Sequence, residues 1–173
     1  MGFRFLEVDG FPGTLTADNI TGVVVHSEMR RTGWYESSDS LLNQLQHNIV
    51  WGQKGNFVGV PTDCPQRDER LGWTGDGQVF CRTAAFNYNV ATFFTRWLKD
   101  LSLEQKKDGK VPIVIPDMLN LKDPDKALTS AGWGDAAVII PWTLYLVYGD
   151  KGLLENQYPG MKAWVEYIRG VAG

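Results

Sequence analysis

Cysteine is scarce in this chain. Cys64 and Cys81 are the two among 173 residues, too few for a disulfide scaffold, and without Cys-x-x-Cys or His-x-x-His spacing they suggest no zinc site. Both are expected to be unpaired and structural, and no metal or other cofactor is expected. Histidine is as sparse: His26 and His47 lie far from the most acidic segment, and nothing marks a Ser-His-Asp triad. A basic stripe is missing, and with 17 Lys and Arg against 20 Asp and Glu the net charge is −3, which argues against nucleic acid as a partner. No long apolar run is present. The nearest, AAVIIPWTLYLVYG (136–149), is interrupted by Pro141 and falls short of the ~20 residues that cross a bilayer, so no membrane partner is expected. The opening MGFRFLEVDG has no charged start leading into an apolar stretch with a cleavage site; no signal peptide is read there, and the compartment stays open.

What is present is a globular composition, 43% hydrophobic and 21% charged, which excludes a disordered chain. Seven tryptophans are a heavy aromatic load for one domain. The first part reads as β: FRFLEV alternates loosely, ITGVVVHSEM is β-branched, and RRTGWYESS offers a further strand ending near residue 37. These strands have no evident partner, as if they were the end of a sheet. From Ser38 the period changes. SDSLLNQLQHNIVWGQ places Leu42, Leu45, Ile49 and Val50 at helical spacing behind a Ser-Asp-Ser cap. From Gly77 to about residue 105 the apolar spacing gives one long helix, or two meeting near Asn87–Asn89. Residues 113–134 read as an extended loop, too long to be idle. A helix over 135–148 follows, with Asp135 placed to cap it, Pro141 to bend it and Gly149 to close it. It is apolar on nearly every face and should be surrounded by protein. A last amphipathic helix is expected from about Gly160.

The segment with the most chemistry is PTDCPQRDERLGWTGDGQ (61–78). It holds Asp63, Asp68, Glu69 and Asp76 together with Arg67, Arg70 and Trp73. Cleaving a glycosidic bond requires one carboxylic acid to protonate the leaving oxygen and a second carboxylate to attack the sugar or activate water. Further carboxylates and an arginine can hold hydroxyls, and an aromatic face can stack on the C–H surface of a sugar ring. Every one of those residue types is here. Each also has a plainer use: Asp63 in a turn, Asp68 paired with Arg67 or Arg70, Asp76 capping a helix, Trp73 in the core. Composition alone therefore supports a polar site of glycosidase character beside a purely structural one.

The longer stretch NFVGVPTDCPQRDERLGWTGDGQVF closely resembles the signature of the bacterial α-L-rhamnosidases of glycoside hydrolase family 78. RTGWYESSDSLLNQLQHNIVWGQKGNF before it and AGWGDAAVIIPWTLYLVYGD after it resemble the same family. The resemblance implies a mainly α fold: part of an (α/α)6 barrel after a short β segment. Residues 1–37 would be the last strands of a β-sandwich domain and residues 38–173 the first part of the catalytic barrel. It implies hydrolysis of terminal α-L-rhamnose with inversion, Glu69 being the general acid. It further implies that Asp63 and Asp76 bind sugar hydroxyls and Trp73 lines the pocket. Arg67 would anchor or contact the sugar, and Trp133 and Asp135 of GWGD would add a second piece of the pocket. The family's general base is a glutamate further along than residue 173, so this chain alone is expected to be inactive. Its partner would be a rhamnose-containing glycoside, and exposed apolar helix faces would favour self-association. Three other readings stand beside this one: a sugar-binding module without turnover, a structural fragment, and a glycosidase for another sugar.

Overall fold

The computed structural model describes residues 5–123 and 126–173. Six helices dominate: α1 (Ser40–Asn56), α2 (Thr74–Asn87), α3 (Ala91–Glu104), the short α4 (Ala131–Gly134), α5 (Ala136–Tyr148) and α6 (Lys151–Ala172). Two strands of two residues, β1 (Phe57–Val58) and β2 (Val60–Pro61), pair antiparallel around Gly59, which has φ +80°. Among the described residues no helix is long and apolar enough to cross a membrane.

Helix α1 begins where the Ser-Asp-Ser cap places it, with Asp39 Oδ1 accepting from the Leu41 amide at 2.8 Å. The expected long helix is two, α2 and α3, broken at Tyr88–Val90. Helix α5 closes at Gly149 (φ +69°), and Asp150 then caps α6 through the Leu153 amide. The two-residue connection makes α5 and α6 a helical hairpin. Helix α5 also packs on α2, α3 and α4. The core between them holds Phe94, Trp97, Leu98, Leu101, Ile140, Leu144 and Trp164, all 0–1% exposed.

Three expectations are corrected. Strands before residue 38 are not formed: residues 5–37 hold a 3-10 turn at Ala17–Asn19 and one isolated bridge, Arg31 with Tyr88. A strand needs a ladder partner, and Val23, Val24 and Val25 stand exposed without one. The segment is tied down from Ser27 onward: the Ser27 amide donates to the Phe57 carbonyl, the Gly59 amide to Ser27 Oγ, those of Thr32 and Gly33 to the Asn87 carbonyl, and that of Asn89 to the Arg30 carbonyl. Helix α6 starts at Lys151, nine residues before the expected Gly160, and runs through Pro159. The proline is exposed, so water can serve the carbonyl that loses its partner. Asp135 makes no side-chain cap bond to α5. Helix α5 is buried on one side only, with the exposed apolar face expected of a partial barrel: Ile139, Trp142, Leu146 and Val147 are exposed, as are Leu42 and Leu45 of α1.

Helix α1 is held to α2 by a buried chain of amides. Asn87 Nδ2 donates to Gln53 Oε1 at 3.1 Å, Gln46 Nε2 donates to Asn87 Oδ1 at 2.9 Å, and Gln53 Nε2 donates to the Ala84 carbonyl at 3.3 Å. Asn87 and Gln53 are 0% and 1% exposed, so losing one partner strands the other without water. Asn87→Ala is expected to lower the unfolding free energy by about 1–3 kcal/mol. The check is a fall in the urea midpoint at unchanged slope, and an unaltered midpoint would show that the amide chain contributes nothing.

Candidate active site

The acidic segment leaves the β1–β2 hairpin, turns through residues 62–71 and enters α2 at Thr74. Its end is zipped to the long loop that follows α3. Trp73 bridges Val114, the Thr74 amide donates to the Ile113 carbonyl at 2.9 Å, and the Ile115 amide donates to the Gly72 carbonyl at 2.8 Å. The glycines of LGWTGDG have negative φ or ordinary backbone, so they are not turn glycines; they admit close neighbours. A Cβ on Gly72 would overlap the Ile115 carbonyl, one on Gly75 would stand 3.0 Å from the Trp133 indole, and one on Gly77 would stand 3.1 Å from the Trp97 ring.

Two ion-pair systems divide the acids. Arg67 Nε donates to Glu69 Oε2 at 2.6 Å, and its Nη2 lies 3.4 Å from Asp63 Oδ2. Arg70 separately binds Asp68 at 2.9 Å. Asp63 has a side chain only 8% exposed, and its Oδ1 is buried without a hydrogen-bond partner; Glu69 is 43% exposed. An oxygen each from Asp63 and Glu69 lies with Cys64 Sγ within a 4.8 Å cluster, the one arrangement among the described residues able to hold a metal ion. Arg67 already supplies the positive charge there, bonded to both carboxylates.

Beside this cluster a cavity of about 530 Å³ opens between α1, the hairpin and α2. Asp63, Asp76 and Trp133 line it, joined by Phe57, Thr62 and Phe80. This volume falls in the range of small-molecule sites. Of the residues singled out from the sequence, Asp63, Asp76 and Trp133 are thus on the cavity and Arg67 and Glu69 adjoin it through Asp63. Trp73 and Asp135 are elsewhere. Trp73 is the residue preceding α2, its Nε1 buried without a partner. Asp135 Oδ1 accepts from Trp164 Nε1 at 2.9 Å, which ties the turn before α5 to α6. A Cβ on the neighbouring Gly134 would overlap that same Trp164 ring. Sequence reasoning overlooked the walls supplied by Phe57, Thr62 and Phe80, because nothing in their local pattern distinguishes a cavity lining from a core.

Asp76 lies in the first turn of α2. Although the residue is largely solvent-exposed, its carboxyl at the cavity wall holds its proton more tightly than an ordinary aspartate. Partial burial is the main cause, the negative charges of Asp63 and Glu69 add to it, and a bond from its own amide opposes it. A raised folded-state value means that its stabilising contribution is complete below the ordinary 3.8 and is lost as pH rises through the raised value. The side-chain carboxyl 13C resonance of Asp76 is therefore expected to titrate above 3.8. In Asp63→Asn the midpoint should fall only part of the way back, because burial outweighs the neighbouring charge; a complete return would reverse that order. Cys81 is fully buried, and burial pushes its thiol up to about 12, which makes it unreactive.

Comparison with known proteins matches this arrangement to one family. The family model described as the bacterial alpha-L-rhamnosidase 6 hairpin glycosidase domain covers residues 30–172. An alpha-L-rhamnosidase of Formosa agariphila is 46% identical over 168 residues, 96% of this chain and 18% of its own length. The crystal structure of the Streptomyces avermitilis alpha-L-rhamnosidase complexed with L-rhamnose superposes with a TM-score of 0.86 at 46% identity, over 93% of this chain and 15% of that one. The solved structure of the Dictyoglumus thermophilum alpha-L-rhamnosidase gives a TM-score of 0.86 at 40% identity, over 94% of this chain and 18% of that one. The chain thus spans less than a fifth of the relatives it matches, and its helices are part of the (α/α)6 barrel that the resemblance implied. With the helical hairpins, the acidic segment and the family match in agreement, the chain belongs to the bacterial α-L-rhamnosidase six-hairpin glycosidase family.

Proposed function

We propose that this chain forms the acid-donating and sugar-gripping half of an active site that hydrolyses terminal α-L-rhamnosides with inversion. The observation that carries the proposal is one cavity bounded by Asp63, Asp76 and Trp133, with Glu69 tethered beside it by Arg67. Rhamnose is a 6-deoxy sugar: its methyl group and C–H faces suit an indole wall, and its vicinal hydroxyls suit carboxylate acceptors. Asp63 Oδ1, an acceptor without a donor, would take a hydroxyl hydrogen. Arg67 donates to Oε2 of Glu69, which leaves Oε1 to carry the acidic proton. In the reaction the glycosidic C–O bond breaks, the leaving oxygen takes the proton from Glu69, and water adds at the anomeric carbon from the opposite face. A second carboxylate accepts the proton of that water. We assign that base to a glutamate outside these residues; Glu155 and Glu166 stand on the exposed surface of α6. For Trp73 and Asp135, which lie off this cavity, a pocket role is proposed only where the rest of the barrel extends the site, through the Trp73 indole N–H and through Oδ2 of Asp135, its Oδ1 being held by Trp164. Residues 1–37, extended and exposed over most of their described length, are proposed as the last strands of a β domain. Residues 38–173 are proposed as the first part of the barrel, whose remaining helices would cover the exposed faces of α1 and α5.

The test is release of nitrophenol from an aryl α-L-rhamnoside by this chain, beside a longer form carrying the rest of the catalytic domain. Activity is expected in the longer form alone. There Glu69→Gln should cut kcat on an alkyl rhamnoside by about 10²–10⁴-fold. It should cut kcat less on the nitrophenyl substrate, whose leaving group needs little protonation. Rhamnose binding without turnover in either form, indifferent to Glu69→Gln, would favour a sugar-binding module instead. Alone, the chain is expected to self-associate through the exposed apolar face of α5; a sharp monomeric peak on size-exclusion chromatography would count against the partial-barrel assignment.

A further inference from the structure

Trp133 is the one aromatic wall of the cavity contributed by a distant stretch of sequence, the four-residue helix α4. A turn this short has little internal hydrogen bonding to fix it, and Trp133 is 39% exposed, so something outside must set its indole. Two independent contacts from α2 do so. Gln78 Nε2 donates to the Gly132 carbonyl at 2.6 Å, across 54 residues of sequence. One turn earlier on α2, Gly75 lies close against the indole; a Cβ there would meet Cδ1, Nε1 and Cε2 of Trp133 at 3.0–3.1 Å. That is tighter than most methyl contacts, so an alanine would push the ring aside by a few tenths of an ångström. Residues 75 and 78 are three apart in a helix and lie on one face. The pair therefore acts as a hook and a seat: the amide hooks the backbone beside Trp133, and the missing side chain seats its ring. Gln78 has no second partner, its Oε1 being buried and unbonded. An unsatisfied buried acceptor costs free energy, so the bond to Gly132 is the one polar contact among the described residues that holds this side chain.

We infer that Gly75 and Gln78 are positioning residues for Trp133, setting the aromatic wall against which the sugar ring packs. The inference rests on the glycosidase reading for its effect on catalysis, but not for its geometry. Because packing on the indole is made in ground state and transition state alike, disturbing it raises KM and leaves kcat in place.

Two measurements test it. In this chain, the Trp133 indole N–H resonance, assigned by its loss in Trp133→Phe, is expected to shift in both Gly75→Ala and Gln78→Met. Its NOEs to Gly75 should disappear in Gln78→Met. An unmoved resonance in both variants overturns the inference whatever the enzyme does. In the complete enzyme, each variant is expected to raise KM for an aryl α-L-rhamnoside about two- to tenfold with kcat little changed. Neither should add anything in a Trp133→Ala background, because positioning acts only through the ring it positions. Additive losses in that background, or a fall in kcat at unchanged KM, would assign Gly75 and Gln78 a role apart from Trp133 and overturn the inference. Failure of the glycosidase reading looks different: the parent enzyme would release no rhamnose, while the indole resonance would still move.

Discussion

The arrangement around the cavity depends on the buried indole of Trp97. Its Nε1 donates to the Ile115 carbonyl at 3.1 Å, and its ring lies against Gly77 in the first turn of α2. Three stretches far apart in sequence meet at that one side chain: helix α3, the end of the acidic segment and the loop beyond α3. The indole satisfies a loop carbonyl that would otherwise be buried unpaired, and the same loop strand accepts and donates the backbone bonds at residues 72–74. Removing the ring would leave both a large void and an orphaned carbonyl, so the orientation of α2 rests on packing and hydrogen bonding at once. Phe94 and Phe57 continue the contact outward, edge-on to one another at 5.7 Å, and carry it to the hairpin from which the acidic segment emerges.

Four acids occupy fourteen residues of this segment without mutual expulsion because two arginines share them out. Arg67 spans Asp63 and Glu69 while Arg70 takes Asp68, and Asp76 has no ion-pair partner among the described residues. The exposed pairs add little stability. Their effect is geometric: Arg67 draws the side chain of Glu69 toward Asp63 and thus toward the cavity edge, although the two carboxylates lie on a surface turn with no regular backbone to fix them. Asp76, unpaired and partly desolvated, holds its proton more tightly chiefly because of burial, with the charges of Asp63 and Glu69 adding to it.

Much of this was legible in residue order. Asp39 before an apolar period marked the start of α1, the Asn-rich break at 87–89 separated α2 from α3, and Gly149 closed α5. The acidic segment declared its chemistry by composition. What stayed hidden had long-range causes. The β-branched run at 22–25 carries strand propensity, but propensity forms no ladder without a partner. Pro159 stands just before the expected start of the last helix, yet tertiary packing of Leu153 and Trp164 carries α6 through it. Asp135 suited a helix cap and was claimed by an indole 29 residues later. Most telling are Gly72, Gly75 and Gly77: in sequence they resemble loop punctuation, whereas each is the imprint of a bulky neighbour contributed from elsewhere.

The two sides of the cavity come from different parts of the chain. The carboxylates arrive on one short segment braced by Trp97, and the facing indole arrives on the turn that ends the 113–134 connection, held by α2 and Trp164. Connections of this kind tolerate change better than the helices they join. The two sides are thus separate in sequence but coupled in space through Gly75 and Gln78. On the proposed reading, variation in the later segment reshapes the indole wall while the acid-bearing segment keeps its ion pairs, so such a scaffold can diversify its substrates with its acid kept in place.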